Sequence, residues 1–290
     1  AALIAAAGYH NILFEGSPGC GKSMIANRLR FILPPMNMQE ILESAKLDAL
    51  ETKEPEFKPH RNIRSPHHSS TLASIFGGGS HNARIGEVGL AHKGVLFFDE
   101  LPHFSKNVLE ALREPMQDNK IRISRVNSKV EYPADFLFIG AMNPCPCGNL
   151  LNKNKECRCS DIEIKRYKNR LSDPFLDRID MNIVMQSVSK DDTSSYTSKE
   201  LHKMVVEAHI FSRKRGQEVF NAKLDDHETE KFCVLSQEAN ETLSLAIERF
   251  DLSFRGIKKV QKLARTIADL DKCEIIEKKH ILEALSYRRR

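Results

Sequence analysis

The sequence predicts an α/β fold, in which a doubly wound parallel sheet is followed by a small helical domain. The apolar run Ile12-Leu13-Phe14 ends in a glycine-rich turn, and apolar residues then recur at helical spacing, which indicates a strand, a loop and a helix. Two further apolar runs, at 95–98 and 136–139, are typical of strands that are buried on both faces of a parallel sheet. Beyond about residue 186 the period of the apolar residues is helical.

Length and composition favour two domains. The chain has 290 residues, of which 41% are hydrophobic and 29% are charged, so each of two domains has enough residues to bury its own core. We expect an α/β domain at 1–185 and a helical domain at 186–290. No stretch approaches the roughly 18 apolar residues that a membrane span needs, so no membrane association is expected.

The first residues and the cysteines of the chain bear on the cellular compartment of the protein. The opening residues lack the basic flank of a signal peptide, and a start at Ala1 suggests a fragment of a longer protein. The seven cysteines are an odd number and four of them are clustered, which favours reduced thiols or a metal site over a disulfide framework. We therefore expect a cytoplasmic protein.

Two regions are predicted to be insertions, one before the apolar run at 95–98 and one after it. Residues 51–92 are rich in Pro, His, Ser and Gly, which predicts inserted loops with short helices. Alternating apolar residues at 121–123 and 130–132 predict a β-hairpin around Asn127-Ser128. The first region also contains four histidines that match no metal-ligand spacing and are interpreted as solvated or subunit contacts: His60, His67, His68 and His81.

The transition to the helical domain is marked by polar residues. A last strand is expected at 183–185, and the stretch 190–195 is polar enough to be a linker. Thr197 and Glu200 then resemble a capping box at the start of a helix. The apolar residues that follow lie on one helical face, which predicts a small helical bundle.

The glycine-rich turn after the first strand matches the pattern G-x-x-x-x-G-K-[ST] of a phosphate-binding loop. The phosphate loop consists of Gly16, Ser17, Pro18, Gly19, Cys20, Gly21, Lys22 and Ser23. It lies between a strand and a helix start, where backbone N–H groups and the helix dipole attract phosphate oxygens. We expect Lys22 to neutralise the β- and γ-phosphates of a nucleotide and the Ser23 hydroxyl to bind Mg²⁺. Cys20 is interpreted as a small space-filling residue rather than a reactive thiol.

An acidic pair follows the apolar run at 95–98. Asp99 and Glu100 come directly after a strand that is expected to end at the same edge of the sheet as the phosphate loop. Asp99 is expected to hold Mg²⁺ through its water shell, and Glu100 is expected to polarise the attacking water. The sequence therefore predicts an ATPase that uses ATP and Mg²⁺.

A cluster of four cysteines predicts a second metal site. Two C-x-C pairs are separated by nine residues that include a glycine and several polar side chains: Cys145 with Cys147, and Cys157 with Cys159. Four thiolates from such a loop can complete a tetrahedral Zn²⁺ site. The alternative is four reduced cysteines of which one pair only flanks a turn. We favour a structural zinc that clamps the segment after Asn143.

Six motifs together resemble the AAA+ ATPases, within them the magnesium-chelatase clade, and most closely its ComM-like (YifB-type) competence proteins. They occur in order along nearly the whole chain at 64–69 (RSPHHS), 77–80 (GGGS), 94–102 (GVLFFDELP), 141–148 (AMNPCPCG), 176–180 (LDRID) and 264–270 (ARTIADL). The resemblance implies an AAA+ P-loop NTPase fold in which the helical domain is a lid. ComM-like proteins also carry an N-terminal domain that resembles that of Lon proteases, which agrees with a fragment.

The resemblance also implies roles for three polar residues. Asn143 looks like sensor 1, which orients the water that attacks the γ-phosphate. Arg178 looks like the arginine finger, which reaches the ATP of a neighbouring subunit and offsets transition-state charge. Arg255 looks like sensor 2 on the lid, and whether it acts on its own subunit's ATP or on a neighbour's stays open. One departure is Asp173, which stands where the clade pattern leads us to expect glycine.

Two insertions that are typical of the clade are expected to face the channel of a ring. The basic residues that we expect to contact DNA include Arg84 in the first insertion and Arg122, Arg125 and Lys129 in the hairpin. Basic side chains there are expected to contact DNA phosphates without reading bases, which gives sequence-independent, salt-sensitive binding. The alternative is that they form the solvated side of a hairpin.

The resemblance implies a homo-oligomer, a hexameric DNA helicase that drives branch migration during recombination and natural transformation. One competing interpretation is the ATPase subunit of a chelatase that inserts Mg²⁺ into a porphyrin. Another is a nucleotide-gated scaffold or protein remodeller with little turnover. Stimulation of ATP hydrolysis by DNA separates these three functions, because only the helicase requires it.

Overall fold

The computed structural model describes residues 1–52, 54–78, 84–124, 129–152, 154–186 and 196–288. Its strands are β1 (Ile12–Gly16), β2 (Ile63–Arg64), β3 (Gly77–Gly78), β4 (Arg84–Ile85), β5 (Val95–Phe98), β6 (Lys120–Ser124), β7 (Lys129–Pro133), β8 (Leu137–Met142) and β9 (Met181–Met185). Its helices are α1 (Ala2–Gly8), α2 (Lys22–Leu29), α3 (Met38–Asp48), α4 (Leu72–Phe76), α5 (Glu87–Leu90), α6 (Lys106–Ala111), α7 (Arg113–Asp118), α8 (Asp161–Lys168), α9 (Asp173–Leu176), α10 (Ser198–Lys214), α11 (Asp226–Phe232), α12 (Gln237–Phe250), α13 (Phe254–Leu270) and α14 (Lys278–Ser286). Short 3₁₀ turns occupy Leu101–His103 and Asn221–Lys223. Within these ranges, no helix combines the length and the apolar character that crossing a membrane requires.

A five-stranded parallel sheet in the order β2-β5-β8-β1-β9 forms the centre of the α/β part. Alternate residues of β5 belong to two separate hydrophobic cores, Val95 and Phe97 to one and Leu96 and Phe98 to the other. Both faces of the sheet are therefore covered, which explains why this strand is a continuous apolar run. The predicted α/β fold with a parallel sheet is confirmed.

Two antiparallel hairpins, β3–β4 and β6–β7, lie outside this sheet. The predicted hairpin at β6–β7 is confirmed, with Ile121 opposite Tyr132. Residues 125–128, which include the predicted turn and Arg125, lie outside the described residues. The hairpins contact each other, because a Cβ atom on Gly77 would lie 2.9 Å from Cδ1 of Ile123. One strand from each predicted insertion, β3 and β6, thus lies against the other.

Helices α10 to α14 form the helical domain, which we call the lid. Helix α13 lies at its centre. The predicted capping box at the start of α10 is confirmed, since the side chains of Thr197 and Glu200 each accept a hydrogen bond from the other residue's backbone N–H. Helix α13 packs against α10, α11 and α14, and also against α1 at the start of the chain. One hydrophobic core therefore contains residues from the sheet, from α1 and from the lid. The division of the chain near residue 186 stays a prediction.

A buried polar network holds the centre of the lid. The carboxylate of Asp269, 2% exposed, accepts two hydrogen bonds from Arg215, at 2.5 and 2.7 Å, and one from Nε of Arg265 at 3.1 Å. Asn221 Nδ2 donates to the same carboxylate at 2.8 Å and to Thr266 Oγ1 at 3.0 Å. Two guanidinium groups thus depend on one carboxylate for charge compensation, because a buried charge is tolerated only when it is paired.

The Asp269→Ala substitution is expected to lower the free energy of unfolding by about 3–5 kcal/mol, because it leaves two guanidinium groups without their counter-charge. The measurement is urea-induced unfolding followed by circular dichroism. The matched control is Lys203→Ala, which breaks the ion pair of an exposed lysine with Glu207 and should cost about 1 kcal/mol or less. Equal effects of the two substitutions would show that the network does not stabilise the lid.

Candidate functional site

The phosphate loop connects β1 to α2 and takes its shape from two glycines. Gly19 and Gly21 have φ angles of +81° and +90°, which lie in the left-handed region that residues other than glycine rarely adopt. Gly21 is also the N-cap of α2, so the first N–H groups of that helix point into the loop. Cys20 is buried, and its sulfur lies 2.7 Å from where a Cβ on Gly16 would be, in agreement with a space-filling role.

The ammonium group of Lys22 is buried at the centre of the loop. Its Nζ donates hydrogen bonds to the carbonyl oxygens of Gly16 at 2.6 Å and Ser17 at 3.0 Å. It also donates to Oδ1 of Asn143 at 3.2 Å. Asn143 follows β8, which is the neighbour of β1 in the sheet, and this strand order brings the two residues together. The ammonium group of Lys22 and the side-chain amide of Asn143 therefore lie on the same side of the phosphate loop.

Ser23 and Asp99 form the second part of this site. The Ser23 hydroxyl donates a hydrogen bond of 2.7 Å to Oδ2 of Asp99, which follows β5. A hydroxyl and a carboxylate oxygen are ligands that Mg²⁺ prefers, and they stand beside the buried Lys22 ammonium. The donor set thus fits a magnesium ion that is held together with nucleotide phosphates.

Glu100 has an unusual backbone and unexpected neighbours. Its φ and ψ angles of +51° and +43° are left-handed, which costs energy for a residue with a side chain and is typical of functional sites. Its carboxylate lies 3.4 Å from Nδ1 of His103 and 3.7 Å from Nδ1 of His68. Sequence spacing alone indicates a solvated or subunit-contact role for His68, and only the fold places this side chain at the acidic pair. The one feature of the sequence that points to a functional role for His68 is its position in the motif at 64–69.

The four cysteines of the predicted zinc site lie together in space. The sulfur of Cys145 is 3.5 Å from that of Cys147 and 3.6 Å from that of Cys157. All four sulfurs, that of Cys159 included, lie within 4.8 Å of one another, and none forms a disulfide. The backbone N–H groups of Asn149 and Arg158 donate to Cys147 and lower the pKa of its thiol, whereas desolvation and the neighbouring thiols raise the pKa of Cys157 and of Cys159. The cluster is therefore suited to a thiophilic metal.

Arg178 and Arg255 form a pair, which we call the arginine pair. Nη2 of each donates to Oε1 of Gln117, at 2.7 Å from Arg178 and 3.4 Å from Arg255. Partial burial, together with the nearby charges of Arg255 and Arg113, lowers the pKa of Arg178. The described residues that line the cavity beside the pair include Lys258 but none from the phosphate loop. The arginine pair is thus separate from the phosphate loop of its own chain.

The predicted DNA-contacting residues are only partly described. Arg84 is exposed at the end of the β3–β4 hairpin. Arg122 is exposed on β6, where it lies 3.1 Å from a carboxylate oxygen of Glu131 and 3.5 Å from one of Glu114. Arg125 and the side chain of Lys129 lie outside the described residues. The hairpin positions that are described therefore carry acidic as well as basic groups.

Comparison with known proteins places these features in a family. A family model described as "Magnesium chelatase, subunit ChlI" matches residues 1–193, and a second, "Magnesium chelatase, subunit ChlI C-terminal", matches residues 195–288. A protein named YifB from Salmonella typhimurium is 42% identical over 98% of this chain, and YifB from Escherichia coli is 41% identical over 98%. "Competence protein ComM" from Haemophilus influenzae is 40% identical over 99%. The chain spans 57% of the length of each of these relatives.

The Lys22→Ala substitution is expected to weaken the binding of a fluorescent ATP analogue by about 2–3 kcal/mol, roughly 30- to 150-fold, because it removes a buried cation that faces the phosphates. Fluorescence titration measures the affinity. The control is Lys168→Ala, whose ammonium pairs with Glu15 on the neighbouring β1 at 3.0 Å and should leave affinity unchanged. Unaltered binding by a folded Lys22→Ala protein would contradict the assignment.

Proposed function

Because the chain belongs to the magnesium chelatase family, we propose that it is one subunit of an ATP-hydrolysing AAA+ ring motor that acts on DNA. The observation that carries the proposal is the presence of two separate half-sites on one chain. Lys22, Ser23 and Asp99 form the first with the phosphate loop. Arg178 and Arg255 form the second and share the Gln117 side chain. Two copies side by side would complete one hydrolysis site.

In the first half-site, the chain's own groups bind the nucleotide and prepare the water. The N–H groups at the start of α2 and the ammonium of Lys22 attract the phosphates. A magnesium ion bound to Ser23 and Asp99 would supply positive charge to the β- and γ-phosphate oxygens. Glu100 stands beside Asp99 as the base for the attacking water, and Asn143 orients that water.

In the second half-site, the arginine pair supplies charge to a neighbour. An arginine that reaches the γ-phosphate only in the assembled ring stabilises the transition state and makes hydrolysis depend on assembly. Arg255 contacts the same glutamine as Arg178, which favours action of both arginines on the neighbouring subunit's ATP. A head-to-tail contact of this kind closes into a ring when the rotation between neighbouring subunits divides a full turn evenly, and we propose a hexameric ring.

DNA is the proposed cargo, and branch migration during recombination and natural transformation is the proposed process. The support is the similarity to a relative that is named a competence protein, together with the contacting hairpins that carry Arg84 and Arg122. Binding to backbone phosphates would be independent of sequence. Because Arg122 is paired with Glu131 and Glu114, DNA has to compete with these carboxylates, which favours weak contacts that can be released during movement.

Zn²⁺ is the proposed cofactor of the four cysteines. Thiolates are soft ligands that select zinc over Mg²⁺, which prefers oxygen. The four cysteines form no disulfide. Because free thiols persist in a reducing compartment, we also propose that the protein is located in the cytoplasm.

The shared site predicts a complementation between two inactive proteins. Arg178→Ala is expected to lower the rate of ATP hydrolysis about 10³-fold or more while ATP binding is retained, and Glu100→Gln is also expected to be inactive. Mixed rings of the two variants should regain activity, because some interfaces combine an intact Glu100 with an intact Arg178. The measurement is phosphate release from mixtures of the two proteins.

The same mixing experiment with Arg255→Ala tests whether Arg255 acts on the ATP of its own subunit or on that of the neighbouring subunit. If Arg255 acts on the neighbour, its variant also complements Glu100→Gln in mixed rings. If it acts on its own ATP, the mixture stays inactive, although Arg178→Ala still complements. An absence of complementation by both variants would contradict a site shared between subunits.

Forked DNA is expected to stimulate ATP hydrolysis by the assembled protein. The double variant Arg84→Ala with Arg122→Ala should bind DNA more weakly and lower the slope of log affinity against log salt by about 2, since two phosphate contacts are lost. Lys203→Ala, which removes an exposed lysine on α10, is the control and should leave the slope unchanged. An ATPase rate that DNA does not alter would favour a chelatase subunit or a protein remodeller instead.

A further inference from the structure

The cysteine loop, which we define as residues 145–152 and 154–159, rests directly on the phosphate loop. A Cβ atom on Gly148 would lie 2.6 Å from Cδ and 2.7 Å from Cγ of Pro18, and 3.8 Å from the side-chain carbon of Asn143. The first two distances are shorter than any ordinary carbon contact, so only glycine allows this approach. Gly148 also has a φ angle of +77°. The backbone of the cysteine loop thus touches both the phosphate loop and the residue that binds Lys22.

The position of Gly148 is fixed by the two cysteines that precede it in the chain. Its N–H donates to the carbonyl oxygen of Cys145 at 3.0 Å, and Cys147 directly precedes it. Cys145 is fully buried and lies two residues after Asn143. Anything that holds the cysteine sulfurs together therefore holds the turn that contacts Pro18.

The sulfur positions match those of a metal complex. A tetrahedron with Zn–S bonds of about 2.3 Å separates its sulfurs by roughly 3.8 Å. Cys145, Cys147 and Cys157 have mutual sulfur separations of 3.5, 3.6 and 3.6 Å, and Cys159 completes the set within 4.8 Å. Thiols that bind nothing have no reason to converge from two separate pairs, because thiol groups gain little from one another.

We infer that a zinc ion at the four cysteines makes the cysteine loop a brace for the phosphate loop, so that metal occupancy sets the affinity for nucleotide. Without the metal, the turn at Gly148 loses its link to Cys157 and Cys159 and no longer holds Pro18 and Asn143 in position. The phosphate loop then has to be ordered by the nucleotide itself, and this ordering reduces affinity. The inference rests on the proposed binding of ATP at the phosphate loop.

The first experiment removes the metal site from the intact protein. Natively purified protein is expected to contain zinc equimolar with the chain by elemental analysis, and Cys157→Ser with Cys159→Ser should abolish it. The same variant should bind the fluorescent ATP analogue at least about tenfold more weakly, a loss that corresponds to about 1.4 kcal/mol. An absence of zinc from the native protein, or full affinity in the zinc-free variant, would overturn the inference.

The second experiment disturbs the brace and leaves the cysteines in place. Gly148→Ala is expected to keep its zinc and yet weaken binding of the ATP analogue, because the added methyl group displaces Pro18. The matched control is Gly216→Ala, since Gly216 also has a left-handed φ, of +79°, but a Cβ there meets no atom within 4 Å. Both substitutions carry similar backbone strain. Equal affinities of the two variants would overturn the brace even if zinc is present.

These readouts distinguish failure of the inference from failure of the proposed function. If the wild-type protein binds no ATP analogue, the proposed nucleotide site is wrong and the zinc content stands as a separate result. If the wild type binds the analogue and Lys22→Ala does not, the nucleotide site holds. The two cysteine-loop variants then test the brace alone.

Discussion

The ammonium group of Lys22 lies inside the phosphate loop and is almost fully removed from solvent, with the residue only 8% exposed. A charge in such a position is tolerated only when hydrogen-bond acceptors surround it. The carbonyls of Gly16 and Ser17 and the amide of Asn143 supply them. The loop therefore curls around its own lysine, and β8 has to end beside β1. These three acceptors use all three N–H donors of the ammonium, so a phosphate oxygen would have to replace at least one of them.

The sequence predicted those parts of the site that depend on short spacings. The phosphate loop, the acidic pair at 99–100 and the hairpin follow from local patterns, because strand ends and glycine turns are set by neighbours in the chain. The contacts of Glu100 with His68, and of Gln117 with the arginine pair, join residues that are distant in sequence. No period or spacing encodes such contacts, which appear only when the sheet order is known. The packing of α1 against α13 likewise joins the two ends of the chain and depends on the fold.

The lid and the arginine pair are mechanically connected. Lys259 on α13 donates hydrogen bonds to the backbone carbonyls of Asp177 and Ile179, the two residues that flank Arg178. Burial lowers the pKa of Lys259, and the carboxylates of Asp180 and Asp177 oppose this shift, so the ammonium is held by partners on the α/β side. A displacement of α13 would thus pull directly on the backbone that carries Arg178. Because α13 also belongs to the shared hydrophobic core, we expect a movement of α13 to be accompanied by a movement of the arginine pair.

Two proposed metal sites meet at the phosphate loop, and their ligands keep them distinct. Ser23 and Asp99 offer hard oxygen atoms, whereas the cysteine loop offers soft sulfur atoms, so each set favours a different ion. Their exchange rates also differ in kind, because the magnesium ion would arrive and leave with each nucleotide while a tetrathiolate zinc is a permanent part of the fold. Pro18 and Gly148 are the point of contact between them. A zinc ion held by the cysteine loop would thus supply a rigid surface against which the proposed magnesium site could be rebuilt with each nucleotide.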